Sequence, residues 1–217
     1  MCAHVRSGRV GRAVTFFLSG RARLPGTDAQ FRSYLVEKSG FVFGYDQIKT
    51  PPHKVDLLDL AIPAFLDAVP RFGKLREGVG ERHWAERLAD ATRALRSLPA
   101  NIDLWDWRDT VAHRTSLTTV FRACRFDWYA SASVTKMLHR KRPRLIPILD
   151  SQVLDVWSPG WTFDDLVDVA FALGAELGER ESSRAALRKV ADELGPPYSD
   201  LSTLRLYDIA SYWRFRE

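Results

Sequence analysis

Apolar side chains recur at intervals of three and four residues along much of the chain, and this spacing limits the possible folds more than any other feature. It is typical of helices that bury one face. Two such stripes are Trp84, Leu88, Ala91 and Leu95, and Leu117, Val120, Phe121 and Cys124. The alternation expected of strands is almost absent. The sequence therefore predicts a mostly α, compact domain of nine or ten helices, in one body or two small helical lobes, with a small strand element near residues 41–48.

Capping residues and prolines divide this pattern into separate helices. Asp56 can cap a helix whose internal Pro63 should either kink it or begin a second helix. Thr162, with Asp165 three residues later, resembles a capping box. The other expected helices cover residues 27–38, 80–98, 117–124, 135–139, 166–177, 182–194 and 202–215.

Positive charge is concentrated in two short segments. The chain has 32 Lys and Arg against 27 Asp and Glu, a net charge of +5. Residues 1–26 and residues 136–144 each contain five Lys or Arg and no acid, so the remainder has a net charge of −5. Such segments favour partners that bear phosphate groups, and duplex DNA is the expected partner. The alternative is an ordinary basic face of solvated arginines.

Residues 1–26 are predicted to be a flexible basic arm before a helical domain over residues 27–217. Their longest apolar stretch, about six residues, is shorter than the core of a typical signal peptide. Elsewhere no apolar run approaches the roughly 18 residues of a membrane span. Two cysteines cannot supply a disulfide framework. We therefore expect a cytoplasmic protein with no membrane association.

The sequence lacks the common signatures of cofactor and metal sites. It has no Gly-rich phosphate loop, no GxSxG elbow and no HExxH motif. The five histidines are scattered singly, so neither a metal nor a cofactor is predicted. Cys124 lies on an apolar stripe and is expected to be a small core residue.

The most informative segment is residues 131–157, SASVTKMLHRKRPRLIPILDSQVLDVW. Pro143 should end a helix, and Pro147 should keep the following apolar residues extended. Asp150 then falls at the start of the next helix. An aspartate in this position stabilises a helix by about 0.5–2 kcal/mol, and this role alone would explain it.

Within this segment, KMLHRKRPRLIPILDSQV resembles the signature of an uncharacterised bacterial family, a domain of unknown function. The resemblance extends over about residues 30–217 and includes the terminal LRLYDIASYW. More distantly, residues 120–157 resemble the core of the helix-hairpin-helix DNA glycosylases, and a helix-hairpin-helix-like segment is placed at residues 117–157. In that family a short apolar linker leads to a catalytic aspartate. Matched without gaps, Pro147 to Asp150 supply the linker and the aspartate, and Ser133 takes the position of a small helix residue.

The second resemblance implies a monofunctional DNA N-glycosylase of base-excision repair, with Asp150 as its catalytic carboxylate. Aromatic rings would then stack on a base or wedge into the duplex, and cations near Asp150 would contact phosphates. The aromatic candidates are Trp105, Trp107, Trp128 and Tyr129, and the cations are Lys136, Arg140, Lys141, Arg142 and Arg144.

The chain departs from the glycosylase pattern at two points. The hairpin glycines should fall near residues 127–130, where the sequence is Asp-Trp-Tyr-Ala. A lysine nucleophile would be expected where Ser131 stands, so a lyase step through a Schiff base is not supported. The alternative is a non-catalytic helical module that binds nucleic acid or a protein, in which Asp150 only caps its helix.

Overall fold

A computed structural model describes residues 16–18, 22–24, 28–37, 44–66, 83–126 and 130–214. Most of these residues are helical, which confirms the predicted mostly α fold. The α-helices are α1 (Asp28–Glu37), α2 (Leu57–Ala61), α3 (His83–Arg96), α4 (Val111–Ala123), α5 (Ser131–Lys141), α6 (Ser151–Trp157), α7 (Leu166–Glu179), α8 (Glu181–Leu194) and α9 (Thr203–Arg214). Short 3-10 helices lie at Ile62–Leu66, Leu104–Asp106, Phe163–Asp165 and Tyr198–Asp200.

Two short strands lie within the predicted basic arm. They are β1 (Phe16–Leu18) and β2 (Ala22–Leu24), and they pair antiparallel with Phe16 opposite Leu24. The flexibility of residues 1–26 and the domain start at residue 27 stay predictions.

The prediction of a strand near residues 41–48 is wrong for the residues that the structure describes. Residues 44–46 form a helical turn, and residues 41–43 lie outside the described part. The turn places Tyr45 in a small buried cluster with Ile62 and Ile148. The Tyr45 hydroxyl donates a hydrogen bond to the backbone carbonyl of Lys136. A buried side chain anchored in this way favours the turn over an extended strand.

The two apolar stripes form the interface between α3 and α4, as the sequence predicts. Trp84, Ala91 and Leu95 on α3 are buried, whereas Leu88 is only partly buried against the same core. All four residues of the α4 stripe, including Cys124 just after the helix, are buried. The helical phase of both segments is therefore confirmed.

The predicted helix boundaries at proline and capping residues are also confirmed. Asp56 caps α2 in a capping box with Asp59. The α-helix ends at Ala61, and Pro63 lies in the following 3-10 helix because proline cannot donate a helical hydrogen bond. Thr162 and Asp165 form the second capping box.

Helix α5 is buried along most of its length. It packs against the 3-10 helix Ile62–Leu66. Its residue Thr135 also fixes the linker that follows residues 140–144, which we call the basic turn, because the Thr135 hydroxyl accepts a hydrogen bond of 3.1 Å from the backbone N–H of Leu149. This contact positions the start of α6. No helix in the described part of the chain has both the length and the apolar character needed to cross a membrane.

Candidate functional site

Asp150 lies at the start of α6, as the sequence predicts. One oxygen of its carboxylate accepts a hydrogen bond of 3.0 Å from the backbone N–H of Val153. Its other oxygen accepts no hydrogen bond from any residue that the structure describes. The side chain is partly exposed. The carboxylate is thus fixed to the helix by one oxygen and leaves the other for a ligand or for solvent.

A second carboxylate, that of Asp208 on α9, lies close enough to Asp150 to feel its charge. Burial raises the pKa of Asp208 to about 6 against the opposing charge of Arg205, and the charge of Asp150 adds to the increase. The charge of Lys136 acts in the other direction. Asp150, Lys136 and Asp208 therefore form one cluster of charges between α5, α6 and α9, which we call the Asp150 cluster.

Lys136 belongs to this cluster and does not lie on a basic surface. Its ammonium group donates a hydrogen bond of 2.8 Å to the backbone carbonyl of Leu66, and the residue is 8% exposed. A contact between Lys136 and a phosphate, as predicted, is not supported, because the side chain points into the protein.

Lys141 is likewise inside the protein, which contradicts the prediction that it contacts a phosphate. Its ammonium group forms an ion pair of 2.6 Å with Asp59, and neither side chain is exposed. Its other hydrogen bonds are to the Thr50 hydroxyl, at 2.8 Å, and to the Pro51 carbonyl, at 2.9 Å. These three partners use the three donors of the ammonium group.

Arg142 is the third cation whose position contradicts the predicted contact with a phosphate. The residue is 1% exposed, and burial lowers the pKa of its guanidinium. It donates hydrogen bonds to the backbone carbonyls of Leu95, Leu98 and Pro52, at 3.1, 3.3 and 2.7 Å. Two of these carbonyls lie at the end of α3 and just beyond it, so Arg142 connects the end of α3 to the turn after α5.

Arg140 and Arg144 are the members of the basic turn that reach a cleft. Arg144 is exposed and forms an ion pair with Asp103, with 2.8 Å between Nε and Oδ1. Arg140 donates a hydrogen bond of 3.0 Å to the Asp46 carbonyl, and its guanidinium lies 5.5 Å from the ring centre of Tyr45. The cleft has a volume of about 460 Å³, and we call it the arginine cleft after the residues Arg140, Arg144, Arg188 and Arg205 in its wall.

Asp150 is not among the residues that line the arginine cleft. The linker before Asp150 is fixed to Thr135 in the first half of α5, whereas the cleft lies at the end of that helix. The basic turn and the candidate carboxylate are therefore brought to two different places. The buried ion pairs of Arg205 with Asp46 and with Asp208 connect the cleft to the Asp150 cluster.

Trp107 is a core residue, which corrects its prediction as a ring of a base pocket. It is 5% exposed, and its ring stacks with those of His113 and Phe171, at 4.7 and 5.5 Å between centres. Trp105 is partly buried, with the Arg184 guanidinium 4.8 Å from its ring centre. Trp128 and Tyr129 lie outside the described residues, as do the other expected hairpin positions except Ala130.

His139 is a polar residue of the cleft that sequence reasoning did not single out. It is 1% exposed, and its Nδ1 lies 2.6 Å from the Ile146 carbonyl. A carbonyl only accepts, so Nδ1 carries the proton and Nε2 is left as an acceptor. Burial, followed by the charge of Arg205, lowers the pKa of His139 to about 3. The Nε2 atom is buried and has no hydrogen-bond partner within the described ranges.

Cys124 is a buried thiol of the core, as the sequence predicts. Burial raises the pKa of the Cys124 thiol to about 12, so a thiolate nucleophile is not available at neutral pH. Within the described ranges, no group of three or more His, Cys, Asp and Glu is arranged to hold a metal ion.

Comparisons with known proteins give one match. A family of unknown function, DUF6308, matches residues 32–215, which are most of the chain. No curated protein and no solved structure matches. The resemblance to an uncharacterised family is thus confirmed, and the chain belongs to the DUF6308 family.

Proposed function

We propose that this chain acts on DNA as a glycosylase-like enzyme that hydrolyses the N-glycosidic bond of a modified base, with Asp150 as the essential carboxylate. The observation that carries the proposal is the geometry of that carboxylate. One oxygen is held by the backbone of α6, and within the described part of the chain the other accepts no hydrogen bond. The side chain is partly exposed and can therefore face a substrate.

The chemistry requires a fixed anion beside the sugar. When the bond from the sugar carbon C1′ to the base nitrogen breaks, the electron pair leaves with the base, and positive charge develops on the sugar. A carboxylate that is already oriented stabilises this charge without reorganising. Water then adds to C1′ and loses a proton to solvent, while the departing base gains one. Asp150 would stabilise the cation and orient the water.

The phosphate contacts in this proposal rest on fewer residues than the sequence predicts. Three of the predicted cations form hydrogen bonds or ion pairs inside the protein, namely Lys136, Lys141 and Arg142. Arg140 and Arg144 remain at a cleft surface. They and the cationic residues 1–26 are the groups that would contact the DNA backbone.

The decisive experiment replaces Asp150 with Asn. Asparagine caps a helix about as well as aspartate, so Asp150→Asn should keep the fold and shift thermal unfolding only slightly. It removes the negative charge and should abolish the release of a base from duplex DNA, measured over alkylated, oxidised and deaminated bases. Asp56→Asn is the matched control, because Asp56 caps α2 through the same type of hydrogen bond. This control should leave base release unchanged.

The second candidate function is a non-catalytic helical module that binds nucleic acid or a protein. It is favoured by the burial of three of the five cations of residues 136–144 and by the capping hydrogen bond of Asp150, which gives this residue a structural role. If the wild-type protein releases no base from any member of the panel, this second function is the better assignment. If it releases a base and Asp150→Asn does so equally, the chemistry lies at another residue.

A further inference from the structure

The arginine cleft is polar and large enough for a small ligand. Its volume of about 460 Å³ lies within the roughly 300–1,000 Å³ typical of small-molecule sites. Its walls come from the turn at Asp46, the end of α5, the middle of α8 and the start of α9. Neither Asp150 nor Lys136 lines it, so the cleft is separate from the Asp150 cluster.

Arg140 differs from the other arginines of the cleft in its partners. Each of the other three is held by at least one carboxylate. These pairs are Arg144 with Asp103, Arg188 with Asp192, and Arg205 with Asp46 and Asp208. Arg140 forms no ion pair with any acid that the structure describes. It is held by the Asp46 carbonyl through Nη1 and by the Tyr45 ring.

The remaining edge of the Arg140 guanidinium is suited to an anion. Its Nε atom is buried and has no hydrogen-bond partner among the residues that the structure describes. The Nε and Nη2 atoms of an arginine form a planar fork that takes a carboxylate or a phosphate through two parallel hydrogen bonds. Since Nη1 is occupied, the conformation of Arg140 leaves this fork to a ligand.

Two neighbouring features add to the specificity of the cleft. Thr203, the first residue of the twelve-residue helix α9, lies in its wall, and the start of a helix carries partial positive charge. His139, next to Arg140 in sequence, contributes its buried Nε2 acceptor, which has no partner in the described part of the chain. A ligand that satisfies both side chains needs an anionic group for Arg140 and a hydroxyl or N–H donor for His139.

We propose that the arginine cleft binds a nucleoside monophosphate, with its phosphate on the Nε–Nη2 edge of Arg140 near the start of α9 and a hydroxyl of its sugar donating to His139. The three carboxylates in the wall, Asp46, Asp103 and Asp200, disfavour a long polyanion. A single phosphate, either on a free nucleotide or at the end of a DNA strand, fits this balance of charge. The inference does not depend on catalysis by Asp150.

The first test is calorimetric titration of the full chain with deoxyadenosine 5′-monophosphate, inorganic phosphate and deoxyadenosine. The nucleotide should bind most tightly, phosphate more weakly, and deoxyadenosine not at all. Binding of deoxyadenosine as tight as that of the nucleotide would overturn the phosphate assignment. Equal binding of phosphate and nucleotide would overturn the hydroxyl contact with His139. The absence of nucleotide binding would overturn the whole proposal.

A second arm separates free nucleotides from DNA ends. The titration is repeated with a short single strand that carries a 5′-phosphate and with the same strand without it. Tighter binding of the phosphorylated strand than of the free nucleotide would assign the cleft to DNA ends. Equal binding of both strands would show contact along the backbone instead and would contradict the proposal.

The variant Arg140→Lys tests the geometry, because lysine keeps the charge and loses the planar fork. Nucleotide affinity should fall about tenfold, whereas Arg122→Lys should change nothing. Arg122 is the matched control, since it is exposed, is paired with Asp164 and does not line the cleft. An unchanged affinity in Arg140→Lys would overturn the role of the fork.

Two readouts keep this test independent of folding and of the proposed enzymatic function. If Arg140→Lys does not fold, the ring nitrogen signals of His139 in the wild-type protein should shift with the nucleotide and not with deoxyadenosine, and unchanged signals would contradict the contact. Asp150→Asn, which tests the proposed enzymatic function, should bind the nucleotide as tightly as the wild type, because Asp150 does not line the cleft; weaker binding would contradict the separation of the two sites. The cleft proposal and the Asp150 proposal can therefore fail separately.

Discussion

Lys141 and Asp59 form an ion pair of 2.6 Å in the interior, and neither side chain is accessible to solvent. Burial lowers the pKa of Lys141 and raises that of Asp59, while the attraction between the two groups opposes both changes. The two charges compensate each other only as a pair. Removal of one partner leaves the other charged and buried, which is strongly unfavourable.

We therefore expect Lys141→Met to lower the free energy of unfolding by about 3–5 kcal/mol. Urea unfolding at neutral pH measures the change. Lys189→Met is the control, because Lys189 is exposed and pairs with Glu193 one helical turn away. Exposed pairs of this type contribute roughly 0–1 kcal/mol, so the control should unfold almost like the wild type. Equal stabilities of both variants would contradict the structural role of Lys141.

The basic turn shows where prediction from sequence stops. Pro143 and the capping position of Asp150 could be predicted because proline and aspartate act on their own local backbone. The burial of Lys141 and Arg142 could not, because their partners lie far away in sequence, on Asp59 and on the carbonyls around Leu95. A run of cations looks the same in sequence whether it faces water or buried acceptors.

The arginine cleft could not be predicted from the sequence, for the same reason. It joins His139 and Arg140 to Arg205, which pairs with Asp46 from the other half of the chain. No spacing rule connects such positions, since each pair is set by tertiary packing. The helical stripes, in contrast, follow from residues three and four apart and were predicted in the correct phase.

The contact between α7 and the 3-10 helix at Leu104 predicts opposite effects at two glycines. A Cβ atom added at Gly174 would lie 3.0 Å from Cγ and 3.1 Å from the carbonyl oxygen of Leu104. At Gly178 the nearest atom, Cβ of Trp105, is 3.7 Å away, which is an ordinary contact. Gly174→Ala should therefore destabilise the protein by about 1–3 kcal/mol, as overpacking does.

Gly178→Ala, on the same helix, should instead be neutral or stabilising by up to about 1 kcal/mol, because alanine restricts the unfolded chain. Thermal unfolding of both variants tests the pair. Two variants with the same melting temperature would show that α7 does not approach Leu104 closely.

The two leucines of the α3 stripe should differ in their contribution to stability. Leu95 is fully buried, so Leu95→Ala should cost about 2–5 kcal/mol. Leu88 is partly buried and borders a surface groove, so Leu88→Ala should cost less, although the sequence pattern assigns both residues to one face. Urea unfolding of both variants provides the comparison. A larger loss for Leu88→Ala would show that the groove is closed in the folded protein.

His139 should make the stability of the protein depend on pH. Burial and the nearby charges of Arg205 and Arg140 lower its pKa to about 3, whereas a histidine in the unfolded chain has a pKa of about 6.5. Between these values the unfolded state binds a proton that the folded state does not bind. The contribution of neutral His139 is therefore present above about pH 6.5 and is lost as the pH falls, at up to about 1.4 kcal/mol per pH unit.

The variant His139→Gln cannot take up this proton, so the difference in unfolding free energy between the wild type and the variant should change steadily from pH 7 to about pH 4.5 in favour of the variant. Asp208 acts in the opposite sense, because its raised pKa makes the folded state bind the extra proton. Both proteins contain Asp208, so to first order its effect cancels in the difference. A difference that stays constant over this range would mean that His139 takes up its proton in the folded protein as readily as in the unfolded chain, and it would contradict the prediction.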